Sequence, residues 1–398
     1  MDASLPLDES TSCERLLGIV WDPKHDVFKF HARINLSKLK KSRIGPDITR
    51  QELLSNPPLV LTRRQYYSQV QSLFDPIGLL SPVLLTAKIL LRKTWEGGCE
   101  KLAWDDALPA DLVKEMIAFF AQLFELENVD FSRSLLPKSG QVVGKPELIL
   151  FSDGSVIAFG AVAYIRWRME NGSWWSNLVL SKSKIAPKNR ITVPRLELNG
   201  AVLSKRLEEF VVSSLKMEFE NIFHLVDSST VLGYLHKPDA KLKPFEGIRV
   251  SEIQTAGKFI DGRLHNWSWV EGIHNPADWA TKPRSAVELK SGGFWQSGPE
   301  FLQRDFTEWP IKHDFRTDRL EGELVPKGVH AVHLVSEGCS SLLSKLLDRT
   351  SNTKKLLRIV AYVLKWRPSS KIAQVPNTGV RLPLELLTRS KVNSYWKI

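Results

Sequence analysis

The stretch ELILFSDGS, residues 147–155, decides the fold of this chain. Its run of apolar residues predicts a buried β-strand, and Asp153 ends that strand at a turn. Two more strands are predicted at residues 159–168 and 174–183, and the Asn171–Gly172 pair between them is typical of a hairpin. A sheet with three sequential strands therefore begins at this stretch.

Helices and strands alternate after the hairpin. The apolar spacing predicts strands and helices in turn: a helix at 192–215, a strand at 221–227, helices at 228–236 and 244–260, a strand at 266–271, and a helix from 275 onward. Three sequential strands followed by this alternation predict an α/β fold, in which helices cover both faces of a mixed five-stranded sheet.

The segments on either side of this domain have different patterns. Residues 16–30 predict two short strands around a turn, and helical stretches follow at 62–75, from 82, and at 108–126. The C-terminal part is loop-like before two amphipathic helices predicted within residues 340–366. These patterns divide the chain into residues 1–131, a linker at 132–145, the α/β domain at 146–292, and a loop and helical segment at 293–398.

Composition narrows the classes of function. The 398 residues include 55 Lys and Arg against 44 Asp and Glu, and the net charge of +11 indicates a polyanionic partner such as nucleic acid. The three cysteines, Cys13, Cys99 and Cys339, form no C-x-x-C pair, which disfavours a disulfide framework and the usual structural zinc site. No apolar run reaches membrane-spanning length, and the N-terminus lacks a signal-peptide pattern. We therefore expect an intracellular protein of the cytoplasm or nucleus with no membrane partner.

Four carboxylates fall at positions where the predicted fold would bring them together. Asp153 and Asp227 each end a strand, Glu197 lies one turn into a helix, and Asp278 lies at the start of another helix. Each alone has a local explanation as a turn or helix-cap residue. Together they would repel one another unless cations neutralised them, and Mg²⁺ takes such hard oxygen ligands. The set predicts a two-metal site for in-line displacement at phosphorus.

Five segments carry a resemblance to a known family: FSDGS (151–155), SKSKIAP (181–187), TVPRLELNGAVLSKRL (192–207), LVDSSTVLGYL (225–235) and HNPADWATK (274–282). They resemble the ribonuclease H domain that follows reverse transcriptase in Bel/Pao-type retrotransposon polyproteins. Upstream, LLGIVWDPKHDVFKF resembles the end of the polymerase palm, and residues 61–95, which contain FDPIGLLSP, resemble its thumb-side and connecting segment. WQSGPEFL and KKLLRIVAYVLKW are similar to the lead-in to an integrase.

The resemblance implies a ribonuclease H-like fold preceded by a mostly helical reverse-transcriptase thumb and connection segment. It also implies that the four acids named above bind Mg²⁺ or Mn²⁺ and carry out hydrolysis of the RNA strand in RNA–DNA hybrids. Such enzymes often use a histidine near the last acid. His265 and His274 are the candidates here, and His274 is the nearer in sequence.

Other activities of these polyproteins lack their residues in this chain. A polymerase needs aspartates in a Y-x-D-D turn, whereas Asp105–Asp106 follows Trp104 and predicts a helix start. An integrase needs a His/Cys zinc module, but His330 and His333 have no cysteine pair to join. The run Asp227–Ser228–Ser229 lacks the glycine of a retropepsin loop. We therefore predict no polymerase, integrase or protease activity from these residues.

Basic residues before and within the Glu197 helix are candidate contacts for nucleic-acid phosphates. They are Lys182, Lys184, Lys188, Arg190 and Arg195. The predicted function is RNA-strand cleavage by a retroelement polyprotein fragment, with other parts of the polyprotein as partners. Two alternatives stay open: a module that grips nucleic acid without cutting it, and a catalytically silent retrotransposon remnant.

Overall fold

A mixed sheet of six strands organises the part of the chain that the structure describes. The structure is a computed structural model, and it describes residues 14–16, 19–37, 45–188, 191–236, 242–255, 259–260, 263–264 and 266–312. The strands are β1 (Glu14–Leu16), β2 (Ile19–Asp22), β3 (Val27–Lys29), β4 (Phe131–Ser132), β5 (Val142–Gly154), β6 (Ala158–Met169), β7 (Trp174–Ile185), β8 (Ile222–Val226), β9 (Phe259–Ile260), β10 (Arg263–Leu264), β11 (Trp267–Val270) and β12 (Ile311–Lys312). The α-helices are α1 (Arg50–Ser55), α2 (Arg63–Ser72), α3 (Ser81–Lys93), α4 (Ala110–Leu123), α5 (Val193–Leu215), α6 (Ser229–Leu235), α7 (Pro244–Gln254), α8 (Ala277–Thr281) and α9 (Phe294–Ser297).

The strand order of the large sheet is β12-β11-β8-β5-β6-β7. Strands β5, β6 and β7 pair antiparallel in sequence, whereas β5, β8 and β11 run parallel to one another. The α/β fold predicted from the sequence is confirmed, with one more strand than the five expected. The extra strand, β12, pairs antiparallel with β11. Its two residues are too few to show the alternation that marks a strand in a sequence.

Alternate residues of β5 pack into different cores on the two sides of the sheet. Leu148 and Leu150 pack with the apolar face of α5, whereas Ile149 and Phe151 pack on the side that carries α8. All four side chains are fully buried. Burial of such a side chain is worth about 1.5–3 kcal/mol, so β5 is held at the centre of the sheet from both faces.

The FDPIGLLSP segment forms a tight junction between α2–α3 and the edge strand β7. Asp75 accepts hydrogen bonds from the backbone N–H groups of Leu79 (2.9 Å) and Leu80 (2.7 Å), and burial raises the pKa of its carboxyl to about 6. The Ser181 N–H donates to the Ile77 carbonyl at 2.9 Å. Gly78 has a φ of +75°, and a Cβ there would lie 2.0 Å from the Ser181 carbonyl oxygen. Only glycine fits this close approach.

The predicted N-terminal hairpin is present as β2 and β3, and β1 and β4 extend it to a four-stranded sheet. The helices expected from residues 62, 82 and 108 are present as α2, α3 and α4. Thr62 caps α2: its hydroxyl oxygen accepts a hydrogen bond from the Gln65 N–H, and its own N–H donates to the Gln65 side-chain oxygen. The predicted helical character of this part is therefore confirmed.

Residues after 292 that we expected to be loop-like pack into the main core. Trp295 is fully buried, donates its indole N–H to the Leu79 carbonyl at 2.8 Å, and accepts at its own carbonyl from the Tyr164 hydroxyl. The largest core cluster accordingly runs from Ile19 to Trp309. Residues from both sides of position 292 therefore share one core, and the domain boundaries expected from the sequence stay a prediction. The helices predicted within 340–366 lie outside the described residues.

Two local predictions were wrong. The helix expected over 244–260 ends at Gln254, and residues 259–260 instead pair as β9 with β10. The sequence Asp261–Gly262 between these strands is a typical hairpin turn, a signal that could have found them. Asp105–Asp106 does not start a helix, since α4 begins at Ala110. Instead Asp105 pairs with Arg64 at 2.7 Å, and Asp106 accepts from the Ala103 N–H.

In the described part of the chain, no helix has both the length and the apolar character needed to cross a bilayer.

Candidate active site

The four predicted acids lie at one edge of the large sheet and on the helices beside it. Asp153 is near the end of β5, and Asp227 directly follows β8. Because β5 and β8 are adjacent and parallel, both residues leave the sheet at the same edge. Glu197 lies in the first turns of α5, and Asp278 lies in α8.

Two glycines let α5 approach the end of β5 closely. A Cβ on Gly154 would lie 2.2 Å from the Glu197 backbone nitrogen, and a Cβ on Gly200 would lie 2.5 Å from the Asp153 carbonyl oxygen. Both distances are far below ordinary van der Waals contact. The FSDGS and RLELNG sequences therefore bring Glu197 against the strand that carries Asp153.

Asp153 is a buried carboxylate held by a neutral hydroxyl. The Thr281 hydroxyl, at the end of α8, donates a hydrogen bond to Asp153 Oδ2. Burial raises the pKa of Asp153, and the charge of Asp278 raises it further, against the lowering effect of the Thr281 hydrogen bond. Thr281 thus links the strand acid to the helix that carries Asp278.

Glu197 has a matching partner in Ser228, the residue after Asp227. The Ser228 hydroxyl donates to Glu197 Oε2 at 2.6 Å, and Ser228 Oγ accepts from the Val231 N–H at the start of α6. Burial raises the pKa of Glu197, and the charge of Asp153 adds to the effect. Ser228 therefore joins α5, β8 and α6 beside the acids.

Among the four acids, Asp227 has the most strongly raised pKa. Burial raises the pKa of its carboxyl to about 7, with the charges of Asp153 and Glu197 as the next causes, while Asn275 acts against them through a hydrogen bond. Its backbone carbonyl accepts from the Trp269 indole N–H at 2.8 Å. The mutual repulsion of Asp153, Glu197 and Asp227 indicates that their carboxylates lie within electrostatic range of one another.

Asp278 differs from the other three because it has cationic partners. It forms an ion pair with Lys282, one helical turn later, and its second oxygen lies 3.7 Å from an Arg284 nitrogen. For Asp153, Glu197 and Asp227, no ion pair with a basic side chain exists among the residues the structure describes. The buried Asp153 and the partly buried Glu197 and Asp227 thus lack a directly paired basic side chain in this part of the structure, although the charge of Lys282 also acts on Asp153.

The donor chemistry of this edge fits a hard divalent cation such as Mg²⁺ or Mn²⁺. The ligands on offer are carboxylate oxygens, and the uncompensated charge is of the sign that a cation neutralises. Within the described ranges, however, no three His, Cys, Asp or Glu side chains already lie close enough together to hold an ion. Convergence of the four carboxylates on shared ions therefore stays a prediction.

Of the two histidine candidates, only His274 lies in the described part of the chain. Its ring is half-buried and packs edge-to-face on Phe301, with the ring centroids 5.9 Å apart. His265 lies outside the described residues, so its position is not compared with the acids. A catalytic role for His274 remains untested.

The predicted phosphate contacts have different surroundings. Lys182 and Lys184 are exposed on the edge strand β7, and Lys188 donates a hydrogen bond to the Trp95 carbonyl at 2.9 Å. Arg195 instead pairs with the fully buried Glu246, at 2.6 Å.

Arg195 also stacks over Phe245, which ties it further to α7. These contacts give Arg195 a structural role that sequence spacing did not reveal. Arg190 lies outside the described residues.

The sequence motifs contained the partners of the acids, but we did not single them out. Thr281 lies three residues after Asp278 and donates its hydroxyl to Asp153, and Ser228 follows Asp227 and donates its hydroxyl to Glu197. Asn275 donates to the Ser152 carbonyl at 3.0 Å and so anchors the start of α8 on β5. A hydroxyl or amide within three residues of one predicted acid is the signal that could have found these residues, although each hydroxyl binds a different acid.

The sheet order, the crossing helix α5 and the acids at the carboxyl end of β5 and β8 define a ribonuclease H-like α/β domain. Residues 62–228 match the family model described as Pao retrotransposon-like RNaseH-like domain. The match includes Asp153, Glu197 and Asp227 and begins at the cap of α2. No curated protein sequence matches the chain.

Several solved structures are similar in fold. The N-terminal RNase H domain of a Mycobacterium tuberculosis protein, solved as a fusion with maltose binding protein, is 16% identical, with a TM-score of 0.23 over 34% of this chain and 96% of that one. RNase H1 from Halobacterium salinarum is 13% identical, with a TM-score of 0.21 over 35% and 92%. A foamy viral protease-reverse transcriptase, solved with double-stranded DNA, is 9% identical, with a TM-score of 0.33 over 64% and 37%.

Proposed function

We propose that this domain hydrolyses the RNA strand of RNA–DNA hybrids with the help of divalent cations. The observation that carries the proposal is the presence of three carboxylates with raised pKa values at or beside one sheet edge: Asp153, which is buried, and Glu197 and Asp227, which are partly buried. Burying charges without cations is costly, and strongly perturbed acids in one place are typical of functional sites.

Asp153, Glu197, Asp227 and Asp278 are the residues that would hold Mg²⁺ or Mn²⁺. When bound, such ions lower the pKa of a water molecule and stabilise the leaving oxygen of a phosphodiester. The Thr281 and Ser228 hydroxyls donate hydrogen bonds that would help to orient the carboxylates of Asp153 and Glu197.

Recognition of the hybrid would use contacts of two kinds. Lys182 and Lys184, both exposed on β7, supply positive charge for the phosphate backbone. Contacts with 2′-hydroxyls would distinguish the RNA strand from the DNA strand. Other parts of a retrotransposon polyprotein are the partners that this arrangement suggests.

The test is cleavage of a hybrid labelled on either strand, at low salt, by the full chain with Mg²⁺ and with EDTA. We expect cuts in the RNA strand alone, only with Mg²⁺, and their loss in Asp227→Asn. Glu209→Gln is the matched control, since Glu209 is an exposed acid on the same helix as Glu197. Cuts that persist in Asp227→Asn would overturn the proposed site.

A second candidate function is hybrid binding without cleavage. It is favoured by one observation, that the described acids do not yet form a ready-made metal site. In that case the protein would bind the hybrid with strong salt dependence, cut neither strand, and respond equally to Mg²⁺ in the wild type and Asp227→Asn.

A further inference from the structure

Lys282 is the basic residue most closely engaged with the acid site. It lies at the C-terminal end of α8, donates its backbone N–H to the Asp278 carbonyl at 2.9 Å, and places its ammonium against Asp278 Oδ1. Its side chain is 56% exposed, whereas that of Asp278 is 22% exposed. The ammonium is therefore on the solvent side of the carboxylate that it covers.

The charges around Lys282 extend beyond its own partner. The pKa of Lys282 is raised chiefly by its hydrogen bond to Asp278, and the charges of Asp153 and Asp227 add to the effect. The charge of Lys282 therefore interacts with Asp153 and Asp227 as well as with its ion-pair partner Asp278. Arg284 does not replace it, because Arg284 is also engaged with Glu288 at 3.3 Å and stacks over Trp279.

The ammonium on Asp278 occupies an oxygen that a bound metal ion would also need. A divalent ion and the Lys282 ammonium compete for Asp278, so the ion pair lowers the metal affinity of the free protein. A phosphodiester offers the exposed ammonium another anionic partner in the direction of solvent. Binding of a nucleic-acid backbone would then free Asp278 at the moment when substrate is present.

We infer that Lys282 is a gate: its ammonium holds Asp278 in the free protein and passes to a phosphate of the nucleic acid, which releases Asp278 for the metal. The inference rests on the proposed function, because it assumes that Asp278 is a metal ligand. By thermodynamic linkage, the nucleic acid would raise metal affinity and the metal would raise nucleic-acid affinity by the same factor.

The test uses the full chain as wild type, Lys282→Met, Lys282→Arg and Lys290→Met. Lys290 is the matched control, since it is exposed, lies eight residues later, and forms no ion pair among the described residues. The first readout is the Mn²⁺ affinity of the free protein by calorimetry. The second is the salt dependence of hybrid affinity in EDTA, by fluorescence anisotropy.

We expect Lys282→Met to bind Mn²⁺ about three- to tenfold more tightly than wild type, since removal of the ammonium frees Asp278 Oδ1 and leaves only the 3.7 Å contact of Arg284 with the other oxygen. The same variant should lose about one unit of the slope of log affinity against log salt, because one phosphate contact is gone. Lys282→Arg should behave as wild type on both readouts, and so should Lys290→Met.

The outcomes separate the gate from the proposed function. If the wild type binds Mn²⁺ and cuts the hybrid, but Lys282→Met matches it in Mn²⁺ affinity and salt slope, the gate is overturned and the nuclease stands. A change in Mn²⁺ affinity without a change in salt slope would overturn the transfer to phosphate. If no variant binds Mn²⁺, the metal site itself is absent and both proposals fall.

Discussion

The two ends of β5 bury carboxylates in opposite ways. At its start, Glu147 pairs with Arg166 at 2.6 Å and also accepts a hydrogen bond from Asn221. At its end, Asp153 has the Thr281 hydroxyl as its partner and lies beside other acids. Burial of an acid therefore does not by itself mark a site. The charge of Glu147 is neutralised by a buried arginine, whereas Asp153 has a neutral hydroxyl as its partner and further acids beside it, which is the arrangement that a bound cation would stabilise.

The largest effect on stability is expected from removing the ion pair at the start of β5. Arg166 is fully buried, donates to Glu147 and to the Leu302 carbonyl at 2.7 Å, and stacks on Trp174 at 3.5 Å. Arg166→Met should lower the free energy of unfolding by about 3–5 kcal/mol, because Glu147 is left as a buried, unpaired charge. Urea denaturation measures this loss.

The exposed residue Arg168, on the same strand, gives the control. Arg168→Met should change stability by no more than about 0.5 kcal/mol. A loss below about 1 kcal/mol in Arg166→Met would mean that the pair at the start of β5 is not needed for the fold, and the comparison between the two ends would fail.

The second-largest effect is expected at the C-terminal end of β5, where the loss of an acidic charge should make the fold more stable instead of less stable. Asp227→Asn should raise the free energy of unfolding at pH 8 by about 1–4 kcal/mol, because it removes a buried charge that repels Asp153 and Glu197. Hybrid cleavage should fall at least about 100-fold in the same variant. Glu147→Gln should instead be destabilised. Parallel urea denaturation of the two amide variants would contradict the comparison if both lost stability.

A third, smaller effect concerns acid sensitivity away from the site. His224 is fully buried; its Nε2–H donates to Glu208 (2.8 Å), its Nδ1 lies 2.7 Å from the Ser204 hydroxyl oxygen, and its ring stacks on Trp267. Burial would raise the pKa of Glu208, but His224 and Lys205 outweigh it and lower the pKa to about 2. Burial lowers the pKa of His224.

The pKa shifts of Glu208 and His224 both make the folded state less stable as the pH falls. A depressed Glu208 pKa contributes stability that is complete above pH 4.5 and is lost as the pH falls toward 2. A depressed His224 pKa means that the unfolded chain takes up the proton first, so stability is also lost below pH 6.5. Glu208→Gln should cost about 1–3 kcal/mol at pH 7, and the cost should shrink below pH 4.5. Denaturation curves between pH 7 and pH 3 check this, and a cost that is constant with pH would refute it.

The sequence was sufficient for the centre of the fold because its signals there are local. The apolar run of β5, the hairpin turn at Asn171–Gly172 and the long periodic helix α5 each carry their own pattern, and all are present. The acids at strand ends were placed by the same logic, since adjacent parallel strands end at one edge.

The features of the fold and of the site that the sequence did not predict depend on contacts between residues far apart in the chain. Arg195 meets Glu246, and Trp295 reaches Leu79, across sequence separations that no periodicity reports. The strand β12 has two residues and exists only through its pairing with β11. For the same reason, the sequence indicated which acids belong to the site but not that hydroxyls hold two of them and a lysine covers the fourth.

The smallest expected effect tests whether the Thr281 hydroxyl positions the carboxylate of Asp153. Thr281→Val removes the donor to Asp153 at almost unchanged volume, and Asp153 is then free to rotate among the other acids. We expect kcat to fall about tenfold with KM nearly unchanged, and stability to change by about 1 kcal/mol. Thr281→Ser, which keeps the hydroxyl, should recover most of the activity. Because the Thr281 hydroxyl also lies 3.2 Å from the Asp278 carbonyl, a merely structural role would lower stability in Thr281→Val and leave kcat per folded molecule unchanged. That result would assign Thr281 to the end of α8 alone and leave Asp153 oriented by burial.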